Sequence, residues 1–344
     1  MSATAPIARS ARVGGAGPIA VVIPCYRVHG KVIDVIARIG PEVAAIYVVD
    51  DACPDHTGDL VEREVRDTRV RVIRHAENRG VGAATLTGME AAAGAGASIL
   101  VKLDGDGQMD PAFIPKLVMP IVRGHADYTK GNRFFSPETL QRMPTLRALG
   151  NGMLSFFMKI SSGYWTIFDP TNGFIALHAA VFRLLPTDKI ARRFFFESDL
   201  LFRLSTVRAH AVDVPMAAIY DDEKSNLRIR SIVFPFVWYL VRNFSKRIVY
   251  SYFLRDFSIG SVYLVFGLPI FLFGVIFGTI EWISHVRAGV AATAGTVMVG
   301  ALPVIVGFQL LLAFLAYDVA TVPRAPIYPY LVDGMPSDPN DAIE

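Results

Sequence analysis

The chain has 344 residues, a formal net charge of +3 and 52% hydrophobic residues, with a mean hydropathy of +0.40. That is too apolar for an ordinary soluble protein and points to one main domain with a membrane appendage. Only Cys25 and Cys53 are present, which excludes a disulfide framework and fits a reducing compartment. The histidines and cysteines lack zinc spacing, and no basic, aromatic-interleaved stretch offers a nucleic-acid surface.

Residues 1–17 are rich in Ala, Gly and Ser without a continuous apolar core. They read as a flexible leader and not as a signal peptide, which leaves the next domain in the cytosol. Ile19 to Pro24 is a short apolar run and predicts a buried strand. Helical spacing follows over 31–39, a second strand over 44–51, a helix over 57–66 and a third strand over 70–73. A small-residue helix is expected over 82–93 and a fourth strand over 99–103. Strands alternating with helices predict a parallel sheet covered on both faces. Residues 18–226 are expected to form this domain.

The pattern then changes. Residues 227–256 interleave Arg228, Arg230, Arg242, Lys246, Arg247 and Arg255 with Trp238, Tyr239, Phe244, Tyr250, Tyr252 and Phe253. Basic and amphipathic aromatic residues together fit helices lying on an anionic leaflet. Residues 257–280 and 288–317 carry no charge, runs of 24 and 30 residues. A hydrocarbon core of ~30 Å needs about 20 helical residues, so each run is long enough to span. The short link between them predicts a transmembrane hairpin over 257–320. Positive charge before it keeps that side cytoplasmic, and residues 321–344 become a cytoplasmic tail.

Candidate chemistry collects at the strand ends. Asp104-Gly-Asp106-Gly-Gln108 closes the fourth strand, Asp50 and Asp51 close the second, and Pro24 and Tyr26 end the first. The carboxyl ends of parallel strands are where such sheets bind ligands. Two carboxylates and an amide oxygen on a tight turn suit Mg²⁺ or Mn²⁺ carrying a diphosphate. An exposed acidic turn is the plain alternative. The glycines of Asn78-Arg79-Gly80-Val81-Gly82 would let a backbone approach a ligand, although their spacing is not a dinucleotide fingerprint.

Ile-Pro-x-Tyr (23–26), Val-Val-Asp-Asp-x-x-x-Asp-x-Thr (48–57), Asn-Arg-Gly-x-Gly-x-Ala (78–84) and Asp-Gly-Asp-Gly-Gln (104–108) occur in this order. Together they resemble glycosyltransferase family 2. The likeness continues through Gly131-Asn132-Arg133, Asp169 to Phe174 and Phe196 to Asp199, and covers roughly 18–226. With a juxtamembrane segment and a hairpin, the chain is similar to the polyprenyl-phosphate glycosyltransferases. The resemblance implies an α/β fold of GT-A type and metal-dependent transfer of a sugar from a nucleoside diphosphate to a polyprenyl phosphate, with inversion. It implies an integral membrane protein, as in a bacterial inner membrane, and is compatible with a homo-oligomer. Asp104, Asp106 and Gln108 would hold Mg²⁺ or Mn²⁺. Pro24, Tyr26 and Asp51 would hold base and ribose, with the adjacent Asp50 in that group or structural. Arg133, Arg147 and Lys224 would face phosphates. Asp106, Arg133 and Asp199 are the catalytic candidates.

The chain departs from relatives at Arg27-Val28-His29-Gly30 and in the acceptor loop Tyr220 to Ser225. Asp169 with Asn172-Gly173 also fits a turn, Glu197 and Asp199 also fit helix caps, and Arg147 also fits a surface charge. Transfer to a glycan or glycolipid hydroxyl, and a non-catalytic nucleotide-sugar-binding scaffold, remain the competing readings.

Overall fold

A computed structural model describes residues 17–28, 30–135, 145–169, 172–216 and 229–332. The chain divides into two compact units, one formed by residues up to Phe244 and from Pro323 onward, the other by Ser245–Val322. The division falls inside the segment expected to be juxtamembrane, and the described residues of the expected cytoplasmic tail from Pro323 on group with the first unit.

The first unit is built on a seven-stranded sheet. Its strands are β1 (Ile19–Cys25), β2 (Val43–Asp50), β3 (Val70–Arg74), β4 (Ile99–Lys102), β5 (Tyr128–Asn132), β6 (Ile175–His178) and β7 (Ala211–Pro215), in the order β3-β2-β1-β4-β6-β5-β7. β1, β2, β3 and β4 are parallel, and the first strand is buried along its whole length. Burial on both faces explains why β1, β2 and β4 read as apolar runs, whereas the edge strand β3 (VRVIR) is only partly buried. Helices α1 (Val32–Ala37), α2 (Thr57–Glu64), α3 (Val81–Gly94) and α4 (Ile114–Val122) supply the crossovers. α3 is mostly Ala, Gly and Thr and lies close on the sheet: a Cβ at Gly88 would collide with the Val22 side chain.

The sheet is mixed, not parallel as the alternation predicts. After β5 the chain forms α5 (Thr145–Ser162) and re-enters at β6, which pairs antiparallel with both β4 and β5. The connection leaves and returns at the same edge, so the strand must run backwards. Lys102 therefore faces Ile175, and Gly173 sits beside the end of β4. A short helix α6 (Ala179–Phe182), then α7 (Phe196–Thr206), β7 and α8 (Ile229–Val249) follow. Met158 of α5, Phe195 and Leu240 of α8 form a small second core.

The described residues after the second unit belong to the first unit again. A short helix α11 (Tyr328–Val332) packs against α6. Asp127, fully buried, accepts hydrogen bonds from the backbone N–H of His210 (2.7 Å), Ile327 (2.9 Å) and Tyr328 (2.8 Å). The Tyr328 ring stacks on His178 at 4.0 Å, and its hydroxyl donates to the Ile121 carbonyl. Burial, aided by the Arg183 charge, pushes the His178 imidazole down to about 4.

The second unit holds α9 (Ile259–Ala288) and α10 (Ala294–Ala320), 30 and 27 residues with mean hydropathy 2.3 in their most apolar windows. At ~1.5 Å per residue they are about 45 and 40 Å long, enough to cross a membrane. α9 starts in a reciprocal Ser258/Ser261 cap and stops at Gly289 with φ 65°; α10 starts at Thr293, whose hydroxyl accepts from the Thr296 N–H. The helices touch along glycines: a Cβ at Gly274 would stand 2.6 Å from the Val304 nitrogen, and one at Gly307 would collide with the Phe271 backbone. Small residues on facing sides are how apolar helices associate closely. Arg247, expected on a leaflet-facing surface, is instead buried: it forks onto Asp318 at 2.6 and 3.1 Å, and Tyr252 donates to the same carboxylate at 2.6 Å. A buried guanidinium needs such a partner, and Asp318 is the charge that ends the second apolar run. Arg242 lies over the Tyr239 ring and Arg255 over Tyr250.

Candidate active site

A cleft of about 650 Å³ opens at the carboxyl ends of β1, β2 and β4, walled by Pro24, Tyr26, Asp51, Lys102, Asp104, Asp106, Arg193 and Glu197 among others. The loops after β1 and β2 carry Arg27, Ala52 and His56 at positive φ, the kind of backbone strain that gathers at functional sites.

The two neighbouring aspartates do different work. Asp50 accepts from the Cys53 N–H (2.7 Å) and the Gly58 N–H (2.6 Å), so it holds its own loop and the first turn of α2. That is the structural role, and Asp50 is not in the cleft wall. Asp51 lines the cleft but is buried and fully engaged. It accepts from the Arg79 N–H (2.9 Å) and Gly80 N–H (2.7 Å), and its Oδ1 lies 2.6 Å from His75 Nδ1. Its first task is to fix the 78–80 loop as a wall; Tyr26, exposed, and Pro24 offer the adjoining surface. The glycines of that loop let the 191–192 backbone pack against it, and Gly80 also lines the cleft. Cβ atoms at Gly80 and Gly82 would stand 2.6 Å from the Arg192 and Ala191 carbonyls, and the Ala83 N–H donates to Arg192 O.

The acidic turn follows β4. The Leu103 N–H still bonds Val22, then Gly107 (φ 78°) reverses the chain. Asp104 and Asp106 are half-buried and face the cleft. Asp106 Oδ1 accepts from the Gln108 N–H at 2.9 Å. Gln108 thus orients Asp106 through its backbone, and its side chain is not in the wall, unlike the third-donor role expected of it. Among the described residues no three His, Cys, Asp or Glu side chains converge on one point. Two carboxylates nevertheless suit a divalent cation that keeps its other positions for water and a diphosphate, so Asp104 and Asp106 fit such an ion.

Lys102, at the end of β4, is buried in the sheet with its ammonium in the wall. It donates to Asp104 Oδ1 at 2.7 Å and lies 3.3 Å from Glu197 Oε1 and 3.4 Å from the Gly173 carbonyl. Burial alone would lower its pKa; the Asp104 and Glu197 charges overcome that and raise it to about 12. Two strands over, on β5, burial pulls Lys130 down to about 8 despite the Glu197 and Asp169 charges, and its ammonium bonds Asn172 O.

Two expected residues, Arg133 and Asp199, occupy other positions. The Arg133 guanidinium forks onto buried Asp169 at 2.8 and 3.2 Å, so its fork is committed to a carboxylate and not turned to a phosphate. Asp199 is fully buried: Oδ2 accepts from the Ala191 N–H (2.9 Å) and Oδ1 from Asn243 Nδ2 (2.8 Å), tying the 190s loop and α8 to α7. It is a positioning residue outside the wall; two residues earlier, Glu197 is the acid that reaches the cleft. Arg147 falls in α5 with its side chain outside the described part, and Lys224 lies outside the described residues. Sequence reasoning missed Arg193 and Lys102 as wall residues. The Arg-Arg doublet before Phe-Phe-Phe-Glu and a lone Lys in an apolar strand were the available signals.

A seven-stranded nucleotide-type sheet with an acidic turn at its mouth defines a glycosyltransferase of the GT-A fold, and the comparisons agree. The model for Glycosyl transferase family 2 matches residues 20–185. An undecaprenyl-phosphate mannosyltransferase from Micrococcus luteus is 30% identical over 176 residues, covering 51% of this chain and 71% of that protein. A UDP-N-acetylglucosamine–dolichyl-phosphate N-acetylglucosaminyltransferase from Methanococcus voltae is 29% identical over 218 residues, 59% of this chain and 86% of that one. The structure of glucosyl-3-phosphoglycerate synthase from Mycobacterium tuberculosis with UDP has a TM-score of 0.50 at 18% identity, over 67% of this chain and 79% of that one; it speaks for the fold. The chain belongs to glycosyl transferase family 2.

Proposed function

We propose that the protein transfers a sugar from a nucleoside-diphosphate sugar to a polyprenyl phosphate at the cytoplasmic face of a membrane, with Mg²⁺ or Mn²⁺ and with inversion. The observation that carries this reading is the pairing, in one chain, of the Asp104/Asp106 cleft with two helices long enough to span a membrane. The acceptors named for the Micrococcus and Methanococcus relatives support it. A membrane-spanning hairpin in the same chain would tether the catalytic unit to the membrane that holds the acceptor, which would replace a three-dimensional search by positioning. When bound, the metal would neutralise charge on the departing diphosphate.

The chain's own residues bind and orient. Asp104 and Asp106 would hold the ion, Pro24 and Tyr26 would flank the nucleotide, and the Asp51-fixed loop would close one side. Arg193, exposed in the wall, is the described cation available to a phosphate. A phosphate monoester has its second pKa near ~6 and is already nucleophilic at neutral pH. Its oxygen attacks the anomeric carbon as the diphosphate leaves, and no protein base is required. Asp169 and Asp199, each committed to protein partners, accord with that chemistry.

The test supplies purified full-length protein with undecaprenyl phosphate and, in turn, UDP-glucose, UDP-N-acetylglucosamine and GDP-mannose, and reads the lipid product by mass spectrometry. One donor should yield a glycosyl phospholipid, EDTA should abolish it, and Asp106→Ala should lose it while remaining folded. Transfer to a sugar hydroxyl instead, or full activity of Asp106→Ala in EDTA, would refute the reading.

A further inference from the structure

Lys102 is the unusual residue of the cleft, a buried cation two positions from an acid expected to bind a cation. An ammonium has three donors and no acceptor. The three oxygen neighbours are Asp104 Oδ1 at 2.7 Å, Glu197 Oε1 at 3.3 Å and Gly173 O at 3.4 Å. They come from three elements: the turn after β4, the first turn of α7, and the segment entering β6. The pocket is made for this group. A Cβ on Gly173 would collide with Lys102 Nζ and crowd Asp104 Oδ2, so glycine at 173 leaves the space the pair occupies.

The contacts are unequal. The ammonium sits closer to Asp104, at 2.7 Å, than to Glu197, at 3.3 Å, and both carboxylates flank it. A divalent ion on Asp104 would stand beside this ammonium, and two cations on one carboxylate in a buried wall repel strongly. The buried lysine must keep a counter-charge, and Glu197 is the second one within reach.

We propose that Lys102 is a positioning residue with two seats: it holds Asp104 when the metal is absent and passes to Glu197 when a divalent cation takes Asp104. Lys102 thereby competes with the metal, Glu197 relieves that competition, and Asp104 keeps a cation beside it in both states. The inference rests on the reading of Asp104 and Asp106 as metal ligands.

The test measures Mn²⁺ binding directly, by electron paramagnetic resonance of the free ion, to the full-length protein in detergent with UDP present, or GDP where that binds more tightly. Lys102→Met removes the competitor and should tighten Mn²⁺ binding about fivefold to tenfold. Glu197→Gln removes the second seat without changing shape and should weaken it by a similar factor. The opposite signs are the signature, because a merely structural role would lower the melting temperature of both variants and shift both affinities the same way or not at all. If Lys102→Met does not fold, Glu197→Gln decides alone: weakened binding supports the two-seat arrangement, and unchanged or tighter binding overturns it. Wild-type binding with no change in either variant would overturn this inference and leave the metal reading standing. No Mn²⁺ binding by the wild type would end both.

Discussion

Asp51→Ala tests how the cleft wall is made. The carboxylate is buried and takes two backbone N–H groups, from Arg79 and Gly80, with His75 Nδ1 at 2.6 Å from Oδ1. Removing it strands two donors and the imidazole in a site with little access to water. Each stranded donor costs about 1–3 kcal/mol, and removing one partner of a buried charged network costs about 3–5 kcal/mol. Relaxation of the 78–80 loop offsets part of this, so we expect a loss of about 3–4 kcal/mol. At roughly 2–4 °C per kcal/mol for a domain of this size, the melting temperature of the first unit should fall by about 6–16 °C. The assay is thermal unfolding in detergent, paired with binding of UDP and GDP. Binding should weaken more than Asp51→Asn weakens it, since asparagine keeps one acceptor for the loop. A melting temperature within about 2 °C of wild type, with nucleotide binding intact, would refute the reasoning.

Two further expectations follow from buried carboxylates. Burial raises Asp213 from 3.8 to about 6, against the Phe168 N–H that bonds it at 2.7 Å. The unfolded chain therefore loses this proton more readily, and stability present below about pH 4 is lost as pH rises through 6. At 1.36 kcal/mol per pKa unit the change is on the order of 2–3 kcal/mol. Relative to wild type, Asp213→Asn should gain about that much unfolding free energy between pH 4 and pH 7.5; a pH-independent difference would refute it. Asp127→Ala should release the segment bound through Ile327 and Tyr328, seen as faster tryptic cleavage at Arg324, and an unchanged cleavage rate would show that the Tyr328–His178 stack and the Tyr328 hydroxyl suffice.

Much of the molecule was legible in the sequence because its signals are local. The Val/Ile runs around Ile19, Val43 and Ile99 predict buried strands, since a strand covered on both faces has no polar side to show. The charge-free runs 257–280 and 288–317 predict long apolar helices, since length and composition alone set what can span a hydrocarbon layer. The Asp104-x-Asp106 turn stood out because carboxylates at a strand's mouth need a reason to be there.

What each charged residue does was decided only by tertiary structure. Whether Asp51 meets a ligand or the Arg79–Gly80 backbone depends on a partner 28 residues away. Arg133 is drawn to Asp169 across 36 residues, and Arg247 to Asp318 across 71. The antiparallel β6, which brings Gly173 against Lys102 and Asp104, is fixed by where the α5 connection returns to the sheet. Sequence determined which segments are strand, helix or span, because those follow from burial pattern and length. The fold determined which acids face the cleft, because a buried charge takes whichever partner the packing brings within about 3 Å.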